Sequence, residues 1–588
     1  MPLWLKFKER FINLRNYFPI YFQSVFFLRL LQVIVVLPLL SYLFIQVLKV
    51  TGLTSITENN LMVAIQNPLA LVVIALIGLT TVFFIYYEQA YYVVLAYLQR
   101  SHQDYHLRTV LRKIHRKARY FLSFQSLLFL LYFVLILPIA SLGMSAGLAD
   151  NLYLPHFIGD ELVKSTQGFF IYFGSLLVLF YLSLRLIYTV IFFVIEEELS
   201  IFGAIKKSWQ YTKGKCLKTI GFLVITLGIY ALMIGLVTAT LLLPLIVIEP
   251  LLSVGAPFVA GFILTLLQIV LFFSFGFLQM VLADGLLCFA YPKLEQASPL
   301  QPTSKPFLFK RPFFFYGALS LFFLIAFGAN AASLTKILYQ PNTQIVAHRG
   351  YMAGGVENTI SALQAAAKQG ADYVEMDVLE TKDHQLVVFH DRTLSRLTNR
   401  QESISELTLA ELQEITVHSG GFEDKIPSFE EYVQAAITAE MKLVVELKYY
   451  GWESPEMEAN VVKILQKYNV TQSYLVQSLK EESIVKVKAL DPNIRTGYLV
   501  AFNIGNLPAT SADFVVIEEF SLNERLVEQA RQVGKGIMTW TVNEEELVRR
   551  ALRLNIDGII TNEPSQAKRV RQSFEENRTL VERVKELL

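Results

Sequence analysis

Glu375 and Asp377 stand two positions apart in an apolar stretch, Tyr373 to Asp377, that reads as a β-strand. On a strand that spacing puts both carboxylates on one face. Glu446 ends a second such stretch, Leu443 to Glu446, and offers a third oxygen ligand. Hard oxygen donors with no thiolate among them suit Ca²⁺ or Mg²⁺. His348 and His390 follow two further strand-like stretches, and imidazole titrates close enough to neutrality for the pair to serve as general acid and base. Arg349 has the planar fork that grips phosphate through paired hydrogen bonds, and Lys448 adds a point charge. His384 and His418 read as surface residues. Gly350, Gly354 and Gly355 make a flexible turn without the spacing of a dinucleotide or P-loop fingerprint, so no nucleotide is implied.

These residues need a scaffold that gathers strand ends. From Gln344 onward, short β-rich runs alternate with helical stretches: 345–347, 373–377, 386–389, 443–446, 474–477, 496–500, 514–517, 537–541 and 558–561. Alternation of this kind predicts a parallel sheet closed into a (β/α)8 barrel of the TIM type, whose active site lies at the C-terminal strand ends. Nine candidates compete for eight places. The link from Val378 to Gln385 is too short for a crossover helix, so the barrel is expected to be irregular there.

The first 330 residues belong to a different solvent. Of the 588 residues 54% are apolar, and the excess is concentrated in this half. About 20 mainly apolar residues cross a bilayer, and seven runs qualify, near 25–48, 69–87, 121–142, 168–193, 219–248, 256–282 and 313–333. The expected organisation is an all-α polytopic membrane domain over 1–335, the barrel over 344–570 and a helical tail over 571–588. The first run follows a basic leader (Lys6, Lys8, Arg10, Arg15) with no small-residue cleavage site, as in a retained signal anchor. Basic residues then alternate between loops: none lies in 51–67, whereas Arg100, Arg108, Arg112, Lys113, Arg116, Lys117 and Arg119 crowd the next segment. Asp150, Asp160 and Glu161 against Lys164 mark an outer loop, as does Glu249. Lys206, Lys207, Lys213, Lys215 and Lys218, and later Lys293, Lys305, Lys310 and Arg311, mark inner ones. Lys and Arg collect on the cytoplasmic side. Seven spans from an internal N-terminus put the catalytic domain outside the cytoplasm.

Net charge is only +2, which gives no footing for nucleic acid. Cys216 and Cys288 both fall in the membrane half, so the barrel has neither a disulfide nor a thiolate metal site. Arg185, inside a span, is expected to snorkel or to pair within the bundle. Ser200 to Lys218 reads either as an interfacial amphipathic helix or as a basic connector.

The motifs HRG (His348 to Gly350), ENT (Glu357 to Thr359), EMD (Glu375 to Asp377), TKD (Thr381 to Asp383), VVFHD (Val387 to Asp391), IPSFEE (Ile426 to Glu431), ELK (Glu446 to Lys448) and DGIITNEP (Asp557 to Pro564) together resemble the glycerophosphodiester phosphodiesterase family, in order and over nearly all of 344–570. The membrane half, notably AIKKSW at Ala204 to Trp209, resembles the membrane domain fused to such enzymes in Gram-positive bacteria. The resemblance implies that His348 and His390 are acid and base, that Glu375, Asp377 and Glu446 hold a divalent metal, and that Arg349 and Lys448 bind phosphate. It also implies that Glu357 orders the site and that Trp540 sits against the substrate glycerol, unless it is a core aromatic. One departure is Asn562 after Thr561, where the family often has Asp. The implied reaction converts glycerophosphodiesters to glycerol 3-phosphate and an alcohol, through attack by the neighbouring glycerol hydroxyl. Two rivals remain: a phospholipase of the D or C type acting on membrane lipid or lysolipid, and a lipid-handling or transport module with secondary hydrolysis. The substrate is thus a glycerophosphodiester or lipid-derived, the other partner is the bilayer, and oligomeric state is left open.

Overall fold

The computed structural model describes residues 17–139, 166–251, 255–295, 312–335, 342–575 and 579–588, with Gly159, Leu162 and Val163. The leader lysines and arginines, Asp150, Asp160, Glu161, Lys164, Lys305, Lys310 and Arg311 lie outside them.

Long apolar runs satisfy their own backbone groups only as helices, and six described helices are long and apolar enough to span: Phe18–Thr51, Pro68–Arg100, Thr166–Ile195, Cys216–Ile248, Ala256–Ala290 and Tyr316–Leu334. Their outward side chains are apolar, with Leu232 and Leu236 74% and 67% exposed, as lipid-facing surface requires. The span expected at 121–142 differs. It is a 15-residue helix, Gln125–Ile139, about 22 Å long at 1.5 Å per residue, and its bent pairing with Leu107–Leu122 at 106° is what would make a seventh span. Arg185 pairs inside the bundle: Nε donates to Thr212 Oγ1 at 2.9 Å, and the guanidinium lies 4.2 Å from the Trp209 ring centre. The connector forms a helix, Ile201–Thr212, capped by the Ser200 hydroxyl.

The strands are β1 (Ser55–Thr57), β2 (Gln344–Ala347), β3 (Tyr373–Glu380), β4 (Leu386–Val388), β5 (Thr416–Ser419), β6 (Phe422–Lys425), β7 (Lys442–Leu447), β8 (Leu475–Ser478), β9 (Arg495–Val500), β10 (Asn503–Gly505), β11 (Phe514–Glu518), β12 (Gly536–Trp540) and β13 (Gly558–Thr561). Eight of them, in the order β2-β13-β12-β11-β9-β8-β7-β3, are parallel neighbours, and β2 pairs with β3 to close the barrel. Val346, Val444, Leu475, Leu499, Phe514, Val516, Met538 and Ile560 fill its interior. Gly497 makes room for Phe514, since a Cβ there would meet its ring at 2.2 Å.

The ninth candidate, 386–389, is not a barrel stave. β4 runs antiparallel to β3, Val378 facing Val388. The short link dictates this, because parallel strands need a crossover of a dozen residues or more. Thr381 ties the turn, its hydroxyl donating to Asp383 Oδ1 and accepting from the Gln385 N–H.

The two halves meet through β1, which lies between the first two membrane helices and pairs antiparallel with β10, Ile56 facing Ile504. β10 follows β9, so the C-terminal ends of the barrel strands face the membrane domain. The last helix, Leu580–Glu586, packs Leu580 and Val584 among Leu242, Leu245, Ala260 and Leu264, and the Leu580 N–H donates to Glu249.

Candidate active site

Strand ends bring the sequence-selected residues together. Glu375 and Asp377 on β3 and Glu446 on β7 face each other because Asp377 and Glu446 are in register. Oxygens of the three carboxylates lie within 4.8 Å of one another, and all three residues are buried. Burial, and then the charges of Asp377 and Glu446, push the Glu375 carboxyl well above its ordinary range. Burial raises Asp377 too, but Lys448, His390 and Arg349 outweigh it, so its carboxyl ends below the usual value. Three acceptors this close repel unless a cation shares them. Glu375 Oε1 has no hydrogen-bond partner among the described residues. That orphaned oxygen, in an all-carboxylate set, fits a hard divalent cation.

Cationic side chains flank the cluster. Lys448 Nζ lies 2.9 Å from Glu446 Oε1 and 3.3 Å from Asp377 Oδ1. Burial works against its charge, yet Glu446 and Asp377 hold it protonated. Arg349 adopts a left-handed backbone, φ 56°, that turns its N–H to Glu375 Oε2 at 2.9 Å. Its guanidinium reaches Glu357 at 3.0 Å and Asp377 at 3.5 Å. Gly350 completes the turn at φ 84°, where a Cβ would meet Ala362 at 2.7 Å.

Both histidines are oriented through Nδ1. His390 Nδ1 is 2.7 Å from Asp391 Oδ1, and His348 Nδ1 is 2.8 Å from Asn562 Oδ1. With oxygen acceptors there, Nδ1 carries the proton in each neutral ring and Nε2 exchanges it. The Asn562 departure therefore keeps the orienting bond and drops the negative charge. Burial first, then Arg349 and Lys448, depress His390 well below 6.5, leaving it neutral at pH 7.

Several members escaped the sequence reading. Arg396 bridges Glu357 at 2.6 Å and Asp391 at 2.6 Å, which links Arg349 to His390 through a chain of ion pairs. Asn358 donates to Asp377 Oδ2 at 2.7 Å, and Gln477 donates to Glu446 Oε2 at 3.2 Å. Asn358 and Asp391 sit inside quoted motifs and were within reach; Arg396 and Gln477 carry no local signal. Trp540 stands at the end of β12, where its indole N–H donates to the Val500 carbonyl at 3.3 Å and its ring packs on the barrel interior.

Comparison with known proteins assigns both halves of the chain to one family. Residues 7–330 match the membrane domain of glycerophosphoryl diester phosphodiesterase, and residues 348–566 match the glycerophosphoryl diester phosphodiesterase family. The Bacillus subtilis family member YhdW is 31% identical over 231 residues, 37% of this chain and 94% of that protein. A Caldanaerobacter subterraneus glycerophosphodiester phosphodiesterase is 30% identical over 232 residues, 38% of this chain and 95% of that protein. An Oleispira antarctica phosphodiesterase, solved in complex with the product sn-glycerol-3-phosphate, is similar at 26% identity over 39% of this chain and 97% of its own, with a TM-score of 0.35. The chain is a multi-pass membrane protein and belongs to the glycerophosphoryl diester phosphodiesterase family of enzymes.

Proposed function

We propose that the protein hydrolyses glycerophosphodiesters to glycerol 3-phosphate and an alcohol, outside the cytoplasm, with Ca²⁺ or Mg²⁺ held by Glu375, Asp377 and Glu446. The observation that carries this reading is the meeting of three buried carboxylates, two oriented histidines and two cations at neighbouring strand ends. The cation would supply Lewis-acid polarisation of the phosphoryl oxygens. Arg349 and Lys448 bind the phosphate and stabilise the charge that grows on it. His390, neutral and backed by Asp391, takes the proton of the glycerol 2-hydroxyl at Nε2 as that oxygen attacks phosphorus. His348, in its protonated form, delivers a proton from Nε2 to the departing alcohol. Water then opens the cyclic phosphate with the two roles reversed. Glu357 and Arg396 position both ends of this machinery. On this reading Trp540, at the end of β12, borders the glycerol.

The extracytoplasmic placement is supported by the docking of the halves, independently of the number of spans. β1, bonded to the barrel, precedes the helix Pro68–Arg100 in a loop with Glu58 and no basic residue. Arg108, Arg112, Lys113, Arg116 and Lys117 follow the far end of that helix, about 50 Å away. Single cysteines at Gln472, in the barrel, and Lys213, in the connector, are to be tested in a Cys216→Ser, Cys288→Ser background. An impermeant thiol reagent on intact cells is expected to label Gln472→Cys and spare Lys213→Cys; the reverse pattern would invert the orientation.

Activity is tested on the purified full-length protein. Glycerophosphocholine, glycerophosphoethanolamine and glycerophosphoglycerol are all expected to release glycerol 3-phosphate with either cation present. Hydrolysis confined to intact phospholipid would replace this reading with a phospholipase of the D or C type.

A further inference from the structure

Beside the catalytic cluster lies a pocket of about 510 Å³ that the reaction described above touches only at Lys448. Tyr450, Lys480, Glu481, Glu482 and Tyr498 are among the residues that line it from the barrel, and Asn59 lines it from the first loop of the membrane domain. The loop is held firmly. Glu58 accepts from the Ala501 and Phe502 N–H groups at 3.0 and 3.3 Å. Asn59 Nδ2 donates to the Leu479 carbonyl at 3.0 Å and to the Tyr498 hydroxyl at 2.9 Å. Phe502 packs among Phe44, Val47, Leu48 and Ile56, which anchors the barrel mouth at the end of the first membrane helix.

We propose that Asn59 is a specificity-determining residue: the membrane-domain loop Ser55–Asn60 closes a subsite that takes the alcohol half of the diester, and that alcohol is a polyol. The proposal rests on the diesterase reading of the neighbouring cluster. Its chemistry follows from the lining. Asn59 spends both amide hydrogens on Leu479 and Tyr498, so what it offers a ligand is the carbonyl oxygen, an acceptor. Tyr498 accepts from Asn59 and so offers its own proton outward. Lys480 stands above the Tyr449 ring, 4.5 Å from its centre, and adds further donors. A wall that alternates acceptor and donor matches vicinal hydroxyls, each of which donates and accepts. An alkyl chain would leave these groups without partners, which costs binding. A trimethylammonium group can neither donate to Asn59 nor accept from Tyr498, and of the two carboxylates that border the pocket, Glu481 is spent on Thr510 and Ser511 while Glu482 is exposed to solvent. The membrane domain is on this account part of the enzyme's recognition surface as well as its anchor.

The test uses the full-length protein in nanodiscs and compares glycerophosphoinositol, whose alcohol is a polyol, with glycerophosphocholine, whose alcohol is not. Because Asn59 also ties the loop, it is changed in an Ile56→Cys, Ile504→Cys background. Those residues face each other across β1 and β10, and facing residues of an antiparallel pair lie within disulfide reach, roughly 5.5 Å between Cα atoms. Oxidation is expected to cross-link them in high yield. In the cross-linked protein, Asn59→Ala is expected to lower the inositol-to-choline ratio of kcat/KM about 5- to 10-fold, the worth of one hydrogen bond, chiefly through KM. A change in loop order alone would slow both substrates and leave the ratio where it was. An unchanged ratio, or cysteines that stay reduced because the strands are apart, would overturn the proposal. If both diesters are hydrolysed and the ratio does not move, only the subsite fails; if the parent protein hydrolyses neither, the diesterase reading fails and takes the subsite with it.

Discussion

A glycerophosphodiester without its 2-hydroxyl is expected to bind almost normally and to turn over at least about 10³-fold more slowly. Phosphate contacts to Arg349 and Lys448 survive in the analogue, as do those that a cation on Glu375, Asp377 and Glu446 would make, so KM should move little. The attacking group is what disappears. An intramolecular nucleophile held in line is worth up to about 7 to 11 kcal/mol of barrier, and tenfold in rate corresponds to about 1.4 kcal/mol. Water admitted to the same position recovers part of this, which is why 10³ is a floor. Single-turnover kinetics on the 2-deoxy substrate separate the binding and chemical steps. Turnover at the normal rate would show that water attacks directly; the barrel and its cluster would stand, and the cyclic intermediate would not.

Replacing either histidine by alanine is expected to cost about 10² to 10⁴ in kcat, and the double variant should cost less than the product, because the two serve one coupled proton transfer. The pH dependence carries a sign. His390 acts as base only when neutral, and burial together with Arg349 and Lys448 depresses its titration well below 6.5. Its basic form therefore persists to lower pH than an ordinary imidazole allows, and the acid limb of the kcat/KM profile should fall below pH 6.5. A cation bound nearby pushes the same way. Arg349→Gln removes the stronger of two depressing charges, so the limb should move toward higher pH. Unaltered turnover in His390→Ala would return that residue to a structural role.

The catalytic cluster was legible because its parts are local. Glu375, Asp377 and Glu446 lie in the C-terminal parts of barrel strands and His348 directly follows one, and in a barrel these ends converge whatever joins the strands. His390 follows β4, the hairpin partner of β3. At 386–389 an apolar run makes a stave-like signal but the turn at Thr381 makes a hairpin, the irregularity that the short link foretold. Run length alone does not distinguish the two; the short link did. Arg396 lay beyond reach, because it joins Glu357 across 39 positions through a loop without periodicity. β1 was hidden further still. Three residues, Ser55 to Thr57, are too few for a strand signal, and they form one only because β10 lies opposite. The bond from Asn59 to Tyr498 spans 439 positions and joins two domains of different solvent. The membrane helices show the reverse case: composition alone marks them, since lipid leaves no other way to satisfy the backbone. The third run is the exception, and its apolar stretch at 121–142 begins with a turn at Ala118–Leu122 that composition does not register.

The most direct measurement is a cation titration of glycerol 3-phosphate release by chelator-treated full-length protein, run beside Glu375→Gln. The parent protein is expected to be inactive in chelator and to recover with Ca²⁺ or Mg²⁺. Glu375→Gln keeps the shape of the side chain and loses the charge, so it should need far more cation for half-maximal rate and reach a lower plateau. Full activity of either protein in chelator, or superimposable titrations of the two, would contradict a catalytic cation held by Glu375, Asp377 and Glu446.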